Sequence, residues 1–322
     1  MPAATNPSPS PFNFLKEGLL LPSHNRRLFA AILAIFVVST ALFLVASELG
    51  VEPLALEVRN DVIALRSTRR RSPDFARLLR DIQDGARDLL LASAAYHVSA
   101  VVAGSTVRLV ALFAAVTTYS SGEQAHGSHG FSAVLGKARA QLKGAVRTLA
   151  LVCALETACV ALLLALAALF VFLAFKRYYG LVLAVTSLAL LAAYAFYVYL
   201  SFVCSLGLAV AVAEPAGSHG AAGAVGRAWQ LMKGRRWRAV LLIAVTAVLA
   251  AVFRPLYWLA RVFAIRSMAM EALLLGALYT FLMAGVELFF VCALAAFYYE
   301  CKGRAQAQEL ATQYVKLSIQ DA

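Results

Sequence analysis

Six stretches of nearly continuous apolar residues are separated along this chain by short segments rich in Lys, Arg and Gly. They run from about Leu28 to Ser47, Leu91 to Thr117, Thr148 to Phe175, Leu181 to Val212, Ala239 to Leu256 and Glu271 to Tyr298. A helix needs roughly 20 such residues to cross about 30 Å of hydrocarbon, and these runs are too continuous for barrel strands. The pattern predicts an all-α polytopic membrane protein with six transmembrane helices. The fourth run exceeds one crossing, so its helix must tilt, break near Gly207 or project from the bilayer. Before the second run, Ser72 reads as an N-cap and Pro73 as a first-turn residue. Phe75, Leu78, Leu79, Ile82 and Ala86 come next at helical spacing, which predicts an amphipathic helix leading into that span.

The polar segments contain a repeat. "GSHGFSAVLGKARAQLKGAVRTLALV" from Gly127 and "GSHGAAGAVGRAWQLMKGRRWRAVLL" from Gly217 align without a gap, pairing His129 with His219, Lys143 with Lys233 and Gly144 with Gly234. In the first copy Phe131, Val134, Leu135, Ala138, Leu142 and Val146 form one helical stripe, with Lys137, Arg139, Lys143 and Arg147 on the other face. That is the pattern of a helix lying in the head-group plane. A weaker version, "FNFLKEGLLLPSHNRRLF", precedes the first span. The chain therefore reads as three hairpins, each preceded by a basic interfacial helix. The units are residues 12–117, 118–212 and 213–300, with a Pro/Ser-rich start (1–11) expected to be disordered, an Arg-rich loop (48–88) and a polar tail (301–322).

Composition agrees with the pattern: 62% of the 322 residues are hydrophobic and 14% charged, against roughly half and a quarter in soluble domains. The net charge of +12 sits mainly beside the apolar runs, where phospholipid head groups are the nearer anions than nucleic acid. The five cysteines, Cys153, Cys159, Cys204, Cys292 and Cys301, include no CxxC pair, so neither a disulfide framework nor a zinc site is expected. Glu17 and the lack of a basic leader argue that the first run is retained as a signal anchor. Six spans put both termini on one side, which holds fifteen Lys and Arg against thirteen opposite. That count barely separates the two orientations. Because the repeat loops are compact and basic whereas the Arg59 to Arg87 segment is offset by Asp61, Asp74, Asp81 and Asp84, the termini are expected in the cytosol, in the endomembrane system or plasma membrane.

With "HGFSAVLGKARAQLKGAVRTLALV" after the second span and "AVAVAEPAGSHGAAGAVGRAWQLMKG" after the fourth, the chain resembles a plant family of six-span membrane proteins. Some members of that family are labelled poly(A)-binding-protein-binding proteins. The resemblance covers about Phe12 to Gly303; it implies a multi-pass location and no established activity, and the Arg-rich segment from Arg66 to Arg87 departs from it. More distantly, the plan looks like the membrane domain attached to some bacterial glycerophosphodiesterases, without the catalytic domain.

Chemistry-bearing residues are few. Arg108, Glu156 and Glu287 fall inside spans at similar depth, where ionisable groups are costly, and an Arg108–Glu156 pair with Glu287 nearby is geometrically allowed. They suit either a solute or proton path, or a structural ion pair. His97, His129 and His219 lack the neighbouring carboxylates or thiols of a metal site. The GxSxG, HExxH, P-loop and dinucleotide-binding motifs are absent. Pattern, charge and motifs together point to a non-enzymatic membrane protein without cofactor or direct nucleic-acid contact. It would engage anionic lipid or a cytosolic partner through Lys137, Arg139, Lys143, Arg147, Arg227, Lys233, Arg235 and Arg236. The alternatives are a small-solute transporter or channel built on the intramembrane charges, and a membrane adaptor for an RNA-binding protein.

Overall fold

The computed structural model describes residues 12–68, 73–123, 131–175, 180–214, 221–233, 235–266 and 268–320, with side chains omitted at 66, 73–74, 120–123, 131–143, 174–175, 221 and 305–320. The start expected to be disordered lies outside these residues, as do His129 and His219. All regular structure among the described residues is helical: α1 (Asn13–His24), α2 (Arg26–Ala46), α3 (Glu52–Ser67), α4 (Pro73–Glu123), α5 (Phe131–Phe175), α6 (Gly180–Ala213), α7 (Ala221–Met232), α8 (Arg236–Ile265) and α9 (Ala269–Gln320). Six helical segments are long and apolar enough to cross a membrane, within Arg26–Leu65, Phe75–Tyr119, Gly144–Leu173, Gly180–Ala213, Arg236–Ile265 and Ala269–Arg304. This is the architecture of a multi-pass membrane protein.

The first span does not stop at Ser47. A π-helical turn, Ser47–Val51, carries α2 directly into α3. Pro53 has no N–H for the carbonyl four residues back and its ring crowds that turn, and the widened turn accommodates both defects. The expected amphipathic helix before the second span is the first part of α4, which packs along α3. Gly85 meets Val58 there, where an added Cβ would lie 3.1 Å from a Val58 methyl. α3 and the first part of α4 thus form a two-helix arm continuous with spans one and two. At about 1.5 Å per residue, α3 alone is about 24 Å long.

The expected interfacial helices differ from one another. The chain leaves α7 after Met232 and re-enters helix at Arg236, as it does between His24 and Arg26. In the other repeat, the positions aligned with that break lie inside the continuous helix α5. The reason is local: Ala145, aligned with Arg235, is fully buried, whereas Arg235 is held by Glu300 and draws the chain aside. The apolar faces of α1 and α7 pack in part on the bundle. Phe14, Gly18 and Leu21 pack on α9, and Ala224, Ala228 and Met232 are buried with α7 lying on α6. Gly18 is essential to the first contact, since a Cβ there would stand 2.6 Å from the Cα of Ala293.

The core is concentrated in the terminal half of the bundle. Leu109 to Val116 of α4, Phe202 to Val210 of α6 and Val291 to Tyr298 of α9 are buried almost without interruption. Phe297 makes edge contacts with Phe14 and Phe202 at centroid distances of 5.7 and 6.1 Å, and Tyr119 stacks on Tyr299 at 4.4 Å. Towards the opposite side the helices separate and present Leu162, Leu169, Leu181, Leu188 and Leu191 outward, as lipid-facing positions do.

Candidate functional site: an intramembrane ion pair between two clefts

Two polar clips give the bundle a vertical scale. At the terminal end of α8, Arg238 bonds Glu300 of α9. Near its other end, Arg261 bonds Glu52 at 2.7 Å and lies 3.7 Å from Glu48, and the Tyr257 hydroxyl donates to Glu48. The 23 residues from Arg238 to Arg261 cover about 35 Å at about 1.5 Å each, close to the thickness of the hydrocarbon layer.

Arg108 and Glu287 meet between those clips. Arg108 on α4 donates from Nε to Oε2 and from Nη2 to Oε1 of Glu287 on α9, both at 3.2 Å, so the guanidinium engages both carboxylate oxygens. The sequence allowed a partnership of Arg108 with Glu156, but Glu156 is instead 5% exposed and accepts the Ser201 hydroxyl at 3.0 Å. Glu287 reaches both donors of one guanidinium edge of Arg108, whereas the Glu156 carboxylate takes its hydrogen bond from Ser201 of α6. The three residues the sequence singled out do share one level, joined as a pair and a neighbour rather than as one cluster.

The pair forms the common wall of two clefts. The first, about 400 Å³, runs from Arg108 and Glu287 towards the side opposite the termini, past Ser39, Thr40 and Tyr96 to Ser47, Tyr257 and Tyr279. The second, about 260 Å³, lies between α6, α8 and α9, with Tyr197, Ser201, Ser205 and Thr246 among its lining. Their positions on α8 separate them: the second touches Ile243 to Ala250, nearer Arg238, and the first touches Tyr257, nearer Arg261. Arg108 and Glu287 keep 29% and 35% of their side chains exposed. Ionisable groups are costly inside a span, and this pair is not sealed by packing.

The other expected contact residues divide. Arg227 bonds Glu214 at 3.3 Å and Arg235 bonds Glu300 at 3.2 Å, so both serve internal pairs, while Lys233, Arg236 and Arg147 are exposed. Lys137, Arg139 and Lys143 belong to α5, with side chains outside the described set. His97 is half-buried in α4. Among the described residues no three His, Cys, Asp or Glu side chains converge as metal ligands. All five cysteines are free thiols, with Cys204, Cys292 and Cys301 buried. Sequence reasoning missed the hydroxyl-bearing residues of both clefts and the Arg238–Glu300 clip. The signal for the clip was there: Arg238 and Arg261 bracket one apolar run at a membrane's width.

These features define a six-span membrane protein with an ion pair at the centre of its bundle. The chain belongs to the family described as Domain of unknown function (DUF8558), whose model matches residues 10–310. No curated protein and no solved structure is similar to it.

Proposed function

We propose that this protein is a non-enzymatic carrier that moves a small polar solute across an endomembrane or the plasma membrane, with both termini in the cytosol. One observation carries the reading: a partly exposed Arg108–Glu287 pair lies between a cleft that reaches towards the Arg261 end of α8 and a cleft nearer its Arg238 end. A purely structural pair would be sealed by packing, as the neighbouring terminal half of the bundle is. Hydroxyls of Ser39, Thr40, Ser201, Ser205 and Thr246 line the two clefts and offer a polar solute oxygen partners in place of water. In this reading the joined pair closes the path, and passage requires Arg108 and Glu287 to part. Glu156, held by Ser201 beside the second cleft, is the nearest alternative carboxylate among those the sequence placed at this depth.

The test is the accessibility of each cleft in sealed vesicles. Single cysteines replacing Gly104 and Thr246 are exposed to a membrane-impermeant thiol reagent from either face, with the native chain as the blank. Gly104→Cys reacts from the side opposite the termini and Thr246→Cys from the terminal side. If neither position reacts from any side, the interior is dry and the carrier reading fails. A second reading, contact with anionic lipid through the basic segments, is favoured by the arginines gathered on Glu300.

A further inference from the structure

Three guanidinium groups converge on one carboxylate oxygen at the terminal end of the bundle. Oε1 of Glu300 lies 3.2 Å from Arg235 Nη1 and 3.9 Å from Arg304 Nη2, and it also accepts from Arg238. Arg235 and Arg238 are mostly buried, with 13% and 17% of their side chains exposed, and Arg304 stands half open at the rim. One carboxylate cannot satisfy three guanidinium groups, each with five N–H donors. Among the described residues, Arg235 Nη2 is buried with no hydrogen-bond partner, and its Nη1 meets the Cys301 sulfur, at 4.0 Å, besides Glu300. Native proteins rarely leave such donors unused, and an unpaired buried donor beside excess positive charge suits a further anionic acceptor.

We infer that the corner formed by Arg235, Arg238 and Arg304 is a binding site for a phosphate group. The guanidinium fork matches a phosphate oxyanion edge to edge, and phosphate supplies the further acceptors that Glu300 lacks. The surroundings favour a phospholipid head group as its source. The corner opens the fifth span, and the adjacent Trp237 is 78% exposed beside exposed Arg236 and Lys233, the composition of a bilayer interface. This inference is independent of the carrier reading, since the corner lies about 20 Å along α9 from Glu287, 13 residues at about 1.5 Å each.

The experiment reconstitutes the full chain in nanodiscs of phosphatidylcholine with and without phosphatidic acid, and reads retained lipid by native mass spectrometry. In parallel, the detergent-solubilised chain is titrated with inorganic phosphate while its melting is followed. Phosphatidic acid is retained in preference to phosphatidylcholine, and Arg304→Gln, at a half-exposed position that does not threaten folding, lowers that retention by about fivefold. Arg235→Met lowers it further if the variant folds. Arg266→Gln, an exposed arginine at the opposite end of α8, leaves retention unchanged. Stabilisation by millimolar inorganic phosphate that Arg304→Gln abolishes, without lipid preference, keeps the site and assigns it to soluble phosphate. No preference and no phosphate response, or equal losses from Arg304→Gln and Arg266→Gln, overturn the inference.

Discussion

Arg108 and Glu287 are 179 residues apart in sequence, yet each engages the other through two hydrogen bonds at the centre of the bundle. The contact ties the second span to the sixth, which no local pattern could announce. Removing one partner leaves the other charge without compensation in a poorly solvated place. Glu287→Gln is expected to destabilise the protein by about 2–3 kcal/mol, below the roughly 3–5 kcal/mol of a fully buried pair because about a third of each side chain is not covered by the protein. The double change Arg108→Leu with Glu287→Leu recovers most of that loss. Thermal unfolding in nanodiscs measures both, and a double variant as unstable as the summed single variants would show that the residues act separately.

Glu156 provides the contrasting case. Its partner is the neutral Ser201 hydroxyl, not a guanidinium. Glu156→Gln keeps an oxygen that can accept from Ser201, so it is expected to cost under about 1 kcal/mol, the worth of an ordinary hydrogen bond. Ser201→Ala should be the more disruptive change, because it strips a buried carboxylate of its donor. The same unfolding assay ranks them, and a larger loss for Glu156→Gln than for Glu287→Gln would mean that Arg108 depends on Glu156 in the membrane.

Close packing makes a second kind of prediction. Gly18→Ala places a methyl group within 2.6 Å of the Ala293 backbone, which has no flexible end to yield. About 1–3 kcal/mol of strain is expected, released by lifting α1 from α9. Gly276→Ala, with open space around the added methyl, is the matched control and should gain up to about 0.5–1 kcal/mol from its helical position. Protease cleavage near His24 would increase in the first variant and not in the second.

The spans are legible in the sequence because each is a long apolar run, and a run is a one-dimensional signal. Arg108, Glu156 and Glu287 are legible for the same reason, as charges interrupting such runs. Their pairing is not, since depth along a helix says nothing of the direction a side chain faces around it. The repeat carries a different ambiguity. Its two copies share residues from the glycine loop to Lys143 and Lys233, but the next three positions, "GAV" in one copy and "GRR" in the other, decide whether the helix continues or breaks. The apolar stripes of α1 and α7 are visible in the sequence as stripes. Whether lipid or the bundle covers them depends on the shape of α6 and α9, and a glycine able to admit a backbone is the one hint that sequence offers.

The clip at the far end of α8 bears on the arm formed by α3 and the start of α4. Arg261 reaches both Glu48 and Glu52 across the π-helical turn, and Tyr257 adds a hydroxyl bond to Glu48. Arg261→Gln is expected to raise amide exchange in residues 47–56 while leaving the terminal half of the bundle unchanged. Its effect on global stability should stay near 1 kcal/mol or less and shrink with salt, because these side chains are about a third exposed. Uniform loss of protection through α9 would instead make the clip part of the bundle's cooperative core.

Orientation is the last consequence that can be checked directly. The terminal side gathers arginines in excess of their acids, with Arg235, Arg238 and Arg304 on the single Glu300. On the opposite side, Arg261 is matched by two carboxylates, Glu48 and Glu52. Positive charge near span ends is retained on the cytosolic face, and acidic residues weigh little in that bias, so Arg235, Arg238 and Arg304 count towards a cytosolic terminal side although they share Glu300. A tag after Ala322 should be digested by protease added to sealed microsomes, and a glycosylation acceptor inserted at residues 69–72, between α3 and α4 in sequence, should be modified in the lumen. Protection of the tag with no modification of the acceptor would reverse the topology and put the Arg235 corner against the opposite leaflet.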